Sequence, residues 1–429
     1  MPYAGTLARR GSIAVVLSLL WLLLLGHAPA AAQGSDIALF GTLRVGTEVV
    51  EGVRITASAD GADVGEATSD ENGQWEIALP EPGTYTVAID LASLPEGYTV
   101  EEEFAERDVE VTPERTRVAV LFPVRSGDEA VASGAFGRLL NLVVEGIKLG
   151  AIIAITSIGL SLIFGVTGLV NFAHGELVTF GAVVAYFLSS AGGIELPLIA
   201  AGLIAVVAGA GLGFTLDTGV FGPLRRRRTG SVALLVISIG LSIMFRHIIA
   251  IVYGVQTQPY ADYAVQREVH WGPIGITPKD IWLTVLSFVV LAGVGLLLKG
   301  TRLGTAMRAV ADNRDLAASS GINVRRIITA VWIMGGALAA LGGVFQATTQ
   351  SVAWDMGFKL LLLMFAAVIL GGLGTAYGAV AGGLVVGIVT QVSTQWFDVE
   401  FKYVIAFLVL IGVLLFRPQG ILGRKERLG

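Results

Sequence analysis

The sequence contains no cysteine, and this absence excludes several kinds of chemistry. Without a thiol there is no disulfide framework, no thiolate nucleophile and no cysteine-ligated iron–sulfur cluster. Only four histidines are present, and His27 lies in an N-terminal segment that is predicted to be removed, which leaves few ligands for a protein zinc site. We therefore expect this chain to bind no metal and no cofactor of its own.

The sequence also lacks the common motifs of nucleotide hydrolysis and of two hydrolase classes. No G-x-x-x-x-G-K-[ST] phosphate loop occurs, so this chain is not expected to hydrolyse ATP in that way. Neither H-E-x-x-H nor G-x-S-x-G is present. These absences predict a protein that is not an enzyme.

Charged residues are scarce and unevenly distributed. They make up 15% of the 429 residues, where a soluble domain has about 25%, and 54% of the residues are hydrophobic. Residues 33–133 contain 21 acidic and 6 basic side chains, whereas residues 134–429 contain 13 acidic and 21 basic ones. The pattern indicates an acidic soluble module followed by a membrane module with basic flanks.

Residues 1–32 have the layout of a secretory signal peptide. Arg9 and Arg10 precede the apolar run Ile13–Leu25, and the alanines at 30–32 provide a cleavage site. An uncleaved first transmembrane helix is the alternative, although the run is shorter than the roughly 20 residues of a span. In either case, the residues that follow are expected outside the cytoplasm.

Residues 33–126 predict a small extracytoplasmic β-sandwich. Apolar and polar residues alternate in five stretches, which begin at Ile37, Val53, Gln74, Thr84 and Thr116. Turn sequences such as Glu-Asn-Gly and Glu-Pro-Gly separate some of these stretches. The string ATSDENGQWEIALPEPGTYTVAI, with LPEGYTV after it, resembles the carboxypeptidase-regulatory-like domains, which implies a spacer or a docking module. Residues 127–138 are the expected linker.

The remainder, residues 139–424, predicts an α-helical polytopic membrane bundle of about 8–10 spans. The candidate spans are 139–164, 172–190, 196–217, 231–253, 281–298, 328–348, 359–373, 376–394 and 403–416. Lys and Arg are concentrated at 225–228, 299–326 and 417–427, which the positive-inside rule assigns to the cytoplasm. Nine crossings then leave the acidic module outside and the C-terminus inside. Clustered glycines inside the spans indicate close helix packing, with a broken translocation path as the alternative.

The segment from Thr301 to Arg326 is the longest polar stretch between spans. Residues Met307–Ser319 contain neither Gly nor Pro, which predicts one short helix that ends at Gly321. Such a helix either docks another protein or is an ordinary solvated loop helix, and the pattern alone does not decide between them.

Four strings together carry a resemblance over residues 139–424. They are GAIIAITSIGLSLIFGVTGLVNFAHGELVTFGA, TRLGTAMRAVADNRDLAASSGINV, FAAVILGGLGTAYGAVAGGLVVG and LLFRPQGILGR. In this order they resemble the integral-membrane permease of the branched-chain amino acid ABC importer family. The resemblance implies half of a pore that is driven by two separate ATPase subunits, which bind ATP and Mg²⁺. It also implies a second related permease and an extracytoplasmic substrate-binding protein, with no nucleic-acid partner.

The resemblance also implies roles for particular residues. The cytoplasmic segment is similar to the E-A-A-x-x-x-G coupling segment of ABC importers, with Leu316 in place of the first alanine. The expected residues of ATPase coupling are Arg308, Asp312, Asn313, Asp315, Ala317 and Gly321. The string NFAHGE is similar to a family signature, which implies a place on the substrate path or at a subunit interface. The expected residues there are Asn171, Phe172, His174, Gly175 and Glu176.

The signature also has a simpler interpretation. Asn171 suits the cap of a helix that starts at Phe172, and a helix dipole favours Glu176 near that start. Three further charge placements are predicted. Glu145 pairs with Lys148 on one helix face, Arg246 and His247 extend towards the outer interface, and Asp217 lies near the arginine cluster.

Other functions remain open at this point. Similar permeases that serve urea or short amides are the main alternative, because specificity in such systems belongs largely to the binding protein. A secondary transporter or channel that works alone is a second alternative, although it has no use for a coupling segment. An adhesion or sensing protein led by the β domain is a third.

Overall fold

The computed structural model describes residues 37–422 with short gaps. The gaps are 46–47, 60–61, 72, 96, 101–103, 112–116, 121, 123, 127–134, 191–193, 261, 263–268, 272–273 and 418. The predicted signal peptide 1–32, most of the predicted linker 127–138 and the end of the C-terminal tail therefore lie outside the described residues. The described residues form two compact units, one made of strands and one made of helices.

The β unit is built from short strands with alternating burial. They are β1 (Ala38–Thr42), β2 (Arg44–Val45), β3 (Glu48–Val49), β4 (Arg54–Ala59), β5 (Ala62–Thr68), β6 (Gln74–Ala78), β7 (Gly83–Ile89), β8 (Tyr98–Thr99), β9 (Glu106–Val111), β10 (Arg117–Ala119) and β11 (Arg125–Ser126). The five predicted stretches are confirmed as β1, β4, β6, β7 and β10. The sequence analysis missed β5 and β9 because their charged residues and glycine mask the alternation.

Two sheets of the β unit share one core. One sheet has the order β10-β1-β6, with β1 parallel to β10, and the other is antiparallel with the order β5-β4-β7-β9. Leu39 and Trp75 of the first sheet belong to the same buried cluster as Ile55, Val87 and Val111 of the second. Two sheets that bury their inner faces together form a sandwich. The predicted β domain is therefore confirmed.

The helical unit contains twelve described helices. They are α1 (Ala135–Thr167), α2 (His174–Ser189), α3 (Leu198–Thr215), α4 (Gly222–Arg226), α5 (Ser231–Tyr253), α6 (Pro278–Gly300), α7 (Arg302–Asp312), α8 (Arg314–Ser319), α9 (Val324–Gln350), α10 (Met356–Gly371), α11 (Ala376–Ser393) and α12 (Lys402–Phe416). A π-helical turn, Leu216–Phe221, joins α3 to α4. A short hairpin of β12 (Val269–Trp271) and β13 (Ile274–Ile276) precedes α6.

Each of the nine candidate spans coincides with a helix. Among the described helices, six are long and apolar enough to cross a membrane, as predicted for a polytopic bundle. Those six segments are Phe136–Thr167, Leu198–Arg226, Ser231–Tyr253, Pro278–Gly300, Val324–Gln350 and Ala376–Ser393. The other three, α2, α10 and α12, have 16, 16 and 15 residues. Such a helix is about 24 Å long, which is less than the roughly 30 Å of the hydrocarbon core.

Glycines allow the helices of the bundle to cross at close range. A Cβ on Gly209 of α3 would lie 2.7 Å from the carbonyl oxygen of Gly336 on α9. A Cβ on Gly150 of α1 would lie 2.9 Å from the Cα of Leu384 on α11. Real Cβ atoms do not approach backbone this closely, so only glycine permits these crossings. The interpretation of the glycines as packing residues is confirmed at these sites.

Candidate functional site

The signature turn, residues 168–173, connects α1 to α2. Gly168 has φ +67°, a left-handed conformation that glycine adopts without strain, and it turns the chain after α1. Asn171 is fully buried, and its Oδ1 accepts the Ala173 N–H at 3.1 Å. The prediction that Asn171 caps a helix starting at Phe172 is wrong, because α2 begins at His174 and has Ala173 at its N-cap position. Asn171 instead stabilises the turn that leads into α2.

His174 fastens the start of α2 to α1. Its side chain is fully buried, and its Nε2 lies 3.1 Å from the carbonyl oxygen of Thr156. Because a carbonyl oxygen only accepts, Nε2 carries the proton in this bond. The imidazole fits beside α1 because Gly159 has no side chain: a Cβ there would lie 3.2 Å from the His174 Cε1.

Glu176 forms a buried ion pair with α5. Its Oε1 lies 3.2 Å from Nε of Arg246 and accepts a hydrogen bond from Ser242 Oγ at 3.0 Å. The Arg246 guanidinium also stacks 3.8 Å from the ring centre of Phe358 on α10. The prediction that Arg246 extends towards the outer interface is therefore wrong, because its charge is neutralised inside the bundle. A carboxylate in the first turn of α2 also suits the helix dipole.

Phe172 and Gly175 complete the contacts of the signature. The Phe172 N–H is hydrogen-bonded to Ser238 Oγ on α5 at 3.1 Å, and its ring lies 4.9 Å from that of Phe365 on α10. A Cβ on Gly175 would lie 2.6 Å from the carbonyl oxygen of Gly357, so α2 and α10 touch backbone to backbone there.

The structure thus brings all five predicted signature residues into one set of contacts inside the chain, which we call the signature cluster: Asn171, Phe172, His174, Gly175 and Glu176. Their contacts join α2 to α1, α5 and α10. Buried polar contacts of this kind are costly when one member is removed. Three buried atoms of the cluster have no hydrogen-bond partner among the described residues: Asn171 Nδ2, His174 Nδ1 and Glu176 Oε2. The cluster therefore holds four helices in one arrangement. Sequence analysis missed Ser242, whose only signal was a polar side chain inside an apolar run, and it assigned Arg246 to the interface rather than to Glu176.

The predicted coupling segment is made of two helices, α7 and α8. The prediction of one helix over Met307–Ser319 is wrong: α7 starts five residues earlier, and the helix breaks at Asn313, which has extended φ and ψ of −158° and 110°. Asn313 caps α8, because its Oδ1 accepts the Leu316 N–H at 2.9 Å. Gly321 has φ +85°, as expected for a residue that ends a helix.

Some of the other predicted coupling residues make contacts within the chain, and the rest are exposed. Arg308 donates to the carbonyl of Leu298 and to Thr305 Oγ1, which fastens α7 to the end of α6. Ala317 is buried. Asp312 and Asp315 are exposed, and Asp315 lies in the first turn of α8.

Arg314, which the sequence analysis did not single out, links α8 to the end of α1. Its Nε and Nη2 both donate to the carbonyl oxygen of Val166, at 2.9 and 2.5 Å. Partial burial lowers the pKa of Arg314 from its usual value, the positive charge of Arg225 lowers it further, and Asp315 opposes the shift. The coupling segment thus contacts the last turn of α1, which leads into the signature turn, through one side chain.

Two more ion pairs fasten the helices. Asp217, in the π-helical turn, pairs with Arg225 as predicted, and it accepts a hydrogen bond from Thr329 of α9 at 2.6 Å. The predicted pair of Glu145 with Lys148 is confirmed at 2.7 Å, and Lys148 also lies 3.1 Å from Asp280 of α6.

Within the part of the chain that the structure describes, no group of three or more His, Cys, Asp or Glu side chains is placed to hold a metal ion.

Comparison with known proteins identifies the helical unit. The family described as "Branched-chain amino acid transport system / permease component" matches residues 142–414. The high-affinity branched-chain amino acid transport system permease protein LivH of Escherichia coli K12 is 30% identical over 306 residues, which are 68% of this chain and 98% of LivH. The permease protein BraD of Pseudomonas aeruginosa is also 30% identical, over 67% of this chain and 96% of BraD.

A solved metal-chelate type ABC transporter in an inward-facing conformation covers 65% of this chain and 87% of its own. Its TM-score of 0.35 and 14% identity are too low to support an argument about the fold. The family match, in contrast, covers more than half of the chain and contains the signature cluster, α7 and α8. The chain belongs to the family of permease components of branched-chain amino acid transport systems.

Proposed function

We propose that this chain is one permease subunit of an ABC importer and forms half of the path by which branched-chain amino acids cross the cytoplasmic membrane. ATP and Mg²⁺ bind to two separate ATPase subunits. A second permease, either another copy or a related chain, completes the pore. A substrate-binding protein outside the membrane delivers the amino acid.

The observation that carries this proposal is the link from α8 to the signature turn. Arg314 of α8 is bonded to Val166, five residues before Asn171 in the sequence. Leu316, in contrast, leaves 65% of its surface exposed, although it is a large apolar residue in a polar segment. We assign this exposed apolar side chain to the contact with the ATPase. Movement of an ATPase bound at Leu316 would therefore reach the last turn of α1, which leads into the signature turn.

The expected orientation follows from the positive charges. Arg225–Arg228, the coupling segment and the C-terminal tail are on the cytoplasmic side by the positive-inside rule. The signature cluster then lies inside the bundle, because His174 contacts Thr156 in the body of α1 and Gly175 contacts Gly357 in the first turn of α10. The β domain lies outside. In this orientation, we assign the signature cluster to the middle of the substrate path, where it holds α1, α2, α5 and α10 together.

The β domain is assigned to residues 33–126 and the membrane domain to 139–424. Residues 1–32 are assigned to a signal peptide. The β domain acts as a spacer or as a docking module for an extracytoplasmic partner. Deletion of the coding sequence for residues 34–125, followed by an uptake assay, separates these roles, because a pure spacer leaves transport unchanged and a docking module does not.

Affinity purification and uptake assays test the function. The tagged protein is purified from its native membrane, co-purifying chains are identified by mass spectrometry, and uptake of labelled leucine, valine and urea is measured in a deletion strain. We expect a binding protein and either two different ATPase chains or one homodimeric ATPase to co-purify. We also expect the deletion strain to lose leucine and valine uptake. If only urea uptake is lost, urea replaces the branched-chain amino acids as the assigned substrate. If no ATPase co-purifies, the assignment to an ABC importer is contradicted.

A pair of substitutions at one position tests the docking role of α8. We expect Leu316→Asp to abolish ATPase co-purification, because a charge would be buried in the contact. Leu316→Ala introduces the residue of the family pattern and should retain it. Both variants should keep the amount and size-exclusion profile of the wild-type permease, because the side chain is exposed. ATPase binding by Leu316→Asp at the wild-type level would contradict the docking role.

A further inference from the structure

A cavity of about 220 Å³ opens at the end of the helical bundle opposite the coupling segment. It lies where α9 ends, α10 begins and α12 begins. Its polar lining includes Gln346, Gln350, Asp355, Lys359 and Lys402. We call it the outer cavity, because the proposed orientation puts this end of the bundle outside.

The outer cavity presents charges of both signs. Asp355 lies just before α10, with 23% of its side chain exposed, and its Oδ2 is 2.9 Å from Nζ of Lys359. Lys402, at the start of α12, supplies a second ammonium group from another helix. A carboxylate and two ammonium groups around one cavity suit a ligand that itself has one charge of each sign.

Gln346 adds a polar atom that lacks a partner. Its side-chain Nε2 donates to Gln350 Oε1 at 2.7 Å, and the residue is only 7% exposed. Its Oε1 is buried and has no hydrogen-bond partner among the residues that the structure describes. A buried acceptor without a partner costs free energy, so a ligand with an N–H donor is favoured at this oxygen.

The rest of the lining combines apolar side chains with Thr257, Ser351 and Tyr403. Leu149, Met356, Leu360 and Leu363 face the cavity beside the polar groups. An apolar cavity of about 150 Å³ is known to hold benzene, which has six non-hydrogen atoms. By proportion, about 220 Å³ holds roughly nine such atoms, which is the size of leucine. The apolar lining favours burial of an aliphatic side chain over a charged one.

We propose that the outer cavity binds one α-amino acid zwitterion with an aliphatic side chain. Asp355 and the Gln346 Oε1 receive the ammonium group, Lys402 and Lys359 receive the carboxylate, and the leucines and Met356 contact the side chain. This assignment rests on the proposed function and adds a binding site in the permease itself. The amino acid is held there after it leaves the binding protein and before it enters the bundle.

Direct binding to the purified permease tests the assignment. The full chain is placed in lipid nanodiscs without binding protein, and leucine binding is measured by saturation-transfer NMR. Two analogues probe the charges: leucine amide lacks the carboxylate, and 4-methylpentanoate lacks the ammonium group. We expect each analogue to bind at least about tenfold more weakly than leucine, because each loses a charge-assisted contact.

Variants locate the site. Asp355→Asn and Lys402→Gln should each weaken leucine binding at least about tenfold, and Gln346→Leu should weaken it severalfold. Asp398→Asn, a matched change in the loop before α12 but outside the cavity lining, should leave binding unchanged. Size-exclusion profiles and co-purification of the ATPases show whether each variant is folded. Because these measurements use no ATP and no binding protein, they are independent of transport.

The outcomes separate this inference from the proposed function. Equal leucine binding by wild type, Asp355→Asn and Lys402→Gln, or equal binding of leucine and 4-methylpentanoate, would overturn the outer cavity as the site. Absence of binding to the wild-type permease would overturn it too, even if the complete transporter takes up leucine. Normal leucine uptake in the deletion strain would instead contradict the proposed function.

Discussion

Arg314 and Val166 are joined by two hydrogen bonds to a single carbonyl oxygen, from Nε at 2.9 Å and from Nη2 at 2.5 Å. The bonds run from α8 to the last turn of α1. A carbonyl at a helix C-terminus lacks an intrahelical partner, so a guanidinium there satisfies it and also complements the helix dipole. The contact connects the proposed ATPase dock to the signature turn through one rigid side chain.

Arg314→Lys is expected to uncouple transport from ATPase binding. Lysine keeps the positive charge, but it does not provide the planar fork that donates twice to one oxygen. The loss should cost about 1 kcal/mol of local stability and lower leucine uptake about fivefold, whereas ATPase co-purification should persist. Uptake in whole cells and co-purification from the same cells check both parts.

Arg326→Lys is the matched control for Arg314→Lys. Arg326 is exposed at the start of α9, in the same positively charged region. We expect the control to keep wild-type uptake. Equal uptake by Arg314→Lys and the control would show that the bond to Val166 does not transmit movement.

The helices of the bundle were predictable because apolar runs of sufficient length have few other structures available in lipid. The predicted span 231–253 has the same bounds as α5. The strand pattern of the β unit was found where apolar residues alternate, but β9, with the sequence ERDVEV, was not, because its charged residues hide the period. The sequence pattern therefore identifies helices and strands whose buried positions are apolar, and it misses a strand such as β9 that is rich in charged residues.

The contacts of the candidate site were not predictable in the same way. Arg246 is 70 positions from Glu176, and only the packing of α5 beside α2 makes them partners. Considered alone, an arginine near the end of a span extends towards the interface, which is what the sequence predicts. The break at Asn313 did have a local signal, because Asn is a common N-cap residue. The absence of Gly and Pro from this stretch permits one continuous helix but does not require it.

Arg246→Met is expected to destabilise the protein strongly, because it leaves the Glu176 carboxylate buried without its partner. Removing one member of a buried pair costs about 3 kcal/mol or more. The double variant Glu176→Gln, Arg246→Met should lose less than the sum of the two single changes. Thermal unfolding in detergent, followed by fluorescence-detected size exclusion, measures all three variants.

Glu195→Gln is the control for this cycle, since Glu195 is exposed between α2 and α3. It should leave the unfolding temperature unchanged. Strictly additive losses in the Glu176 and Arg246 variants would mean that the two side chains do not stabilise each other.

Gly175→Ala is expected to separate α2 from α10. Its Cβ would lie 2.6 Å from the carbonyl oxygen of Gly357, so backbone has to move. We expect the free energy of unfolding to fall by about 2 kcal/mol or more, with a lower unfolding temperature and lower uptake.

Gly240→Ala is the matched control, because no atom lies within 4 Å of its Cβ position in the middle of α5. The control should be neutral or slightly stabilising, since alanine stabilises a helix by about 1 kcal/mol relative to glycine. Equal unfolding temperatures for the two variants would contradict the close crossing.

Asn313→Ala is expected to loosen α8 without unfolding the bundle. It removes the Oδ1 that accepts the Leu316 N–H, and loss of an N-cap costs about 1 kcal/mol. That free energy corresponds to about a fivefold rise in amide hydrogen exchange at the start of α8. Asn313→Asp keeps a capping oxygen and should show wild-type exchange.

If α8 must be folded to seat the ATPase, Asn313→Ala should also weaken ATPase co-purification, whereas Asn313→Asp should not. Faster exchange with unchanged co-purification would instead mean that the ATPase binds through α7, because α7 ends before Asn313 and does not need this cap.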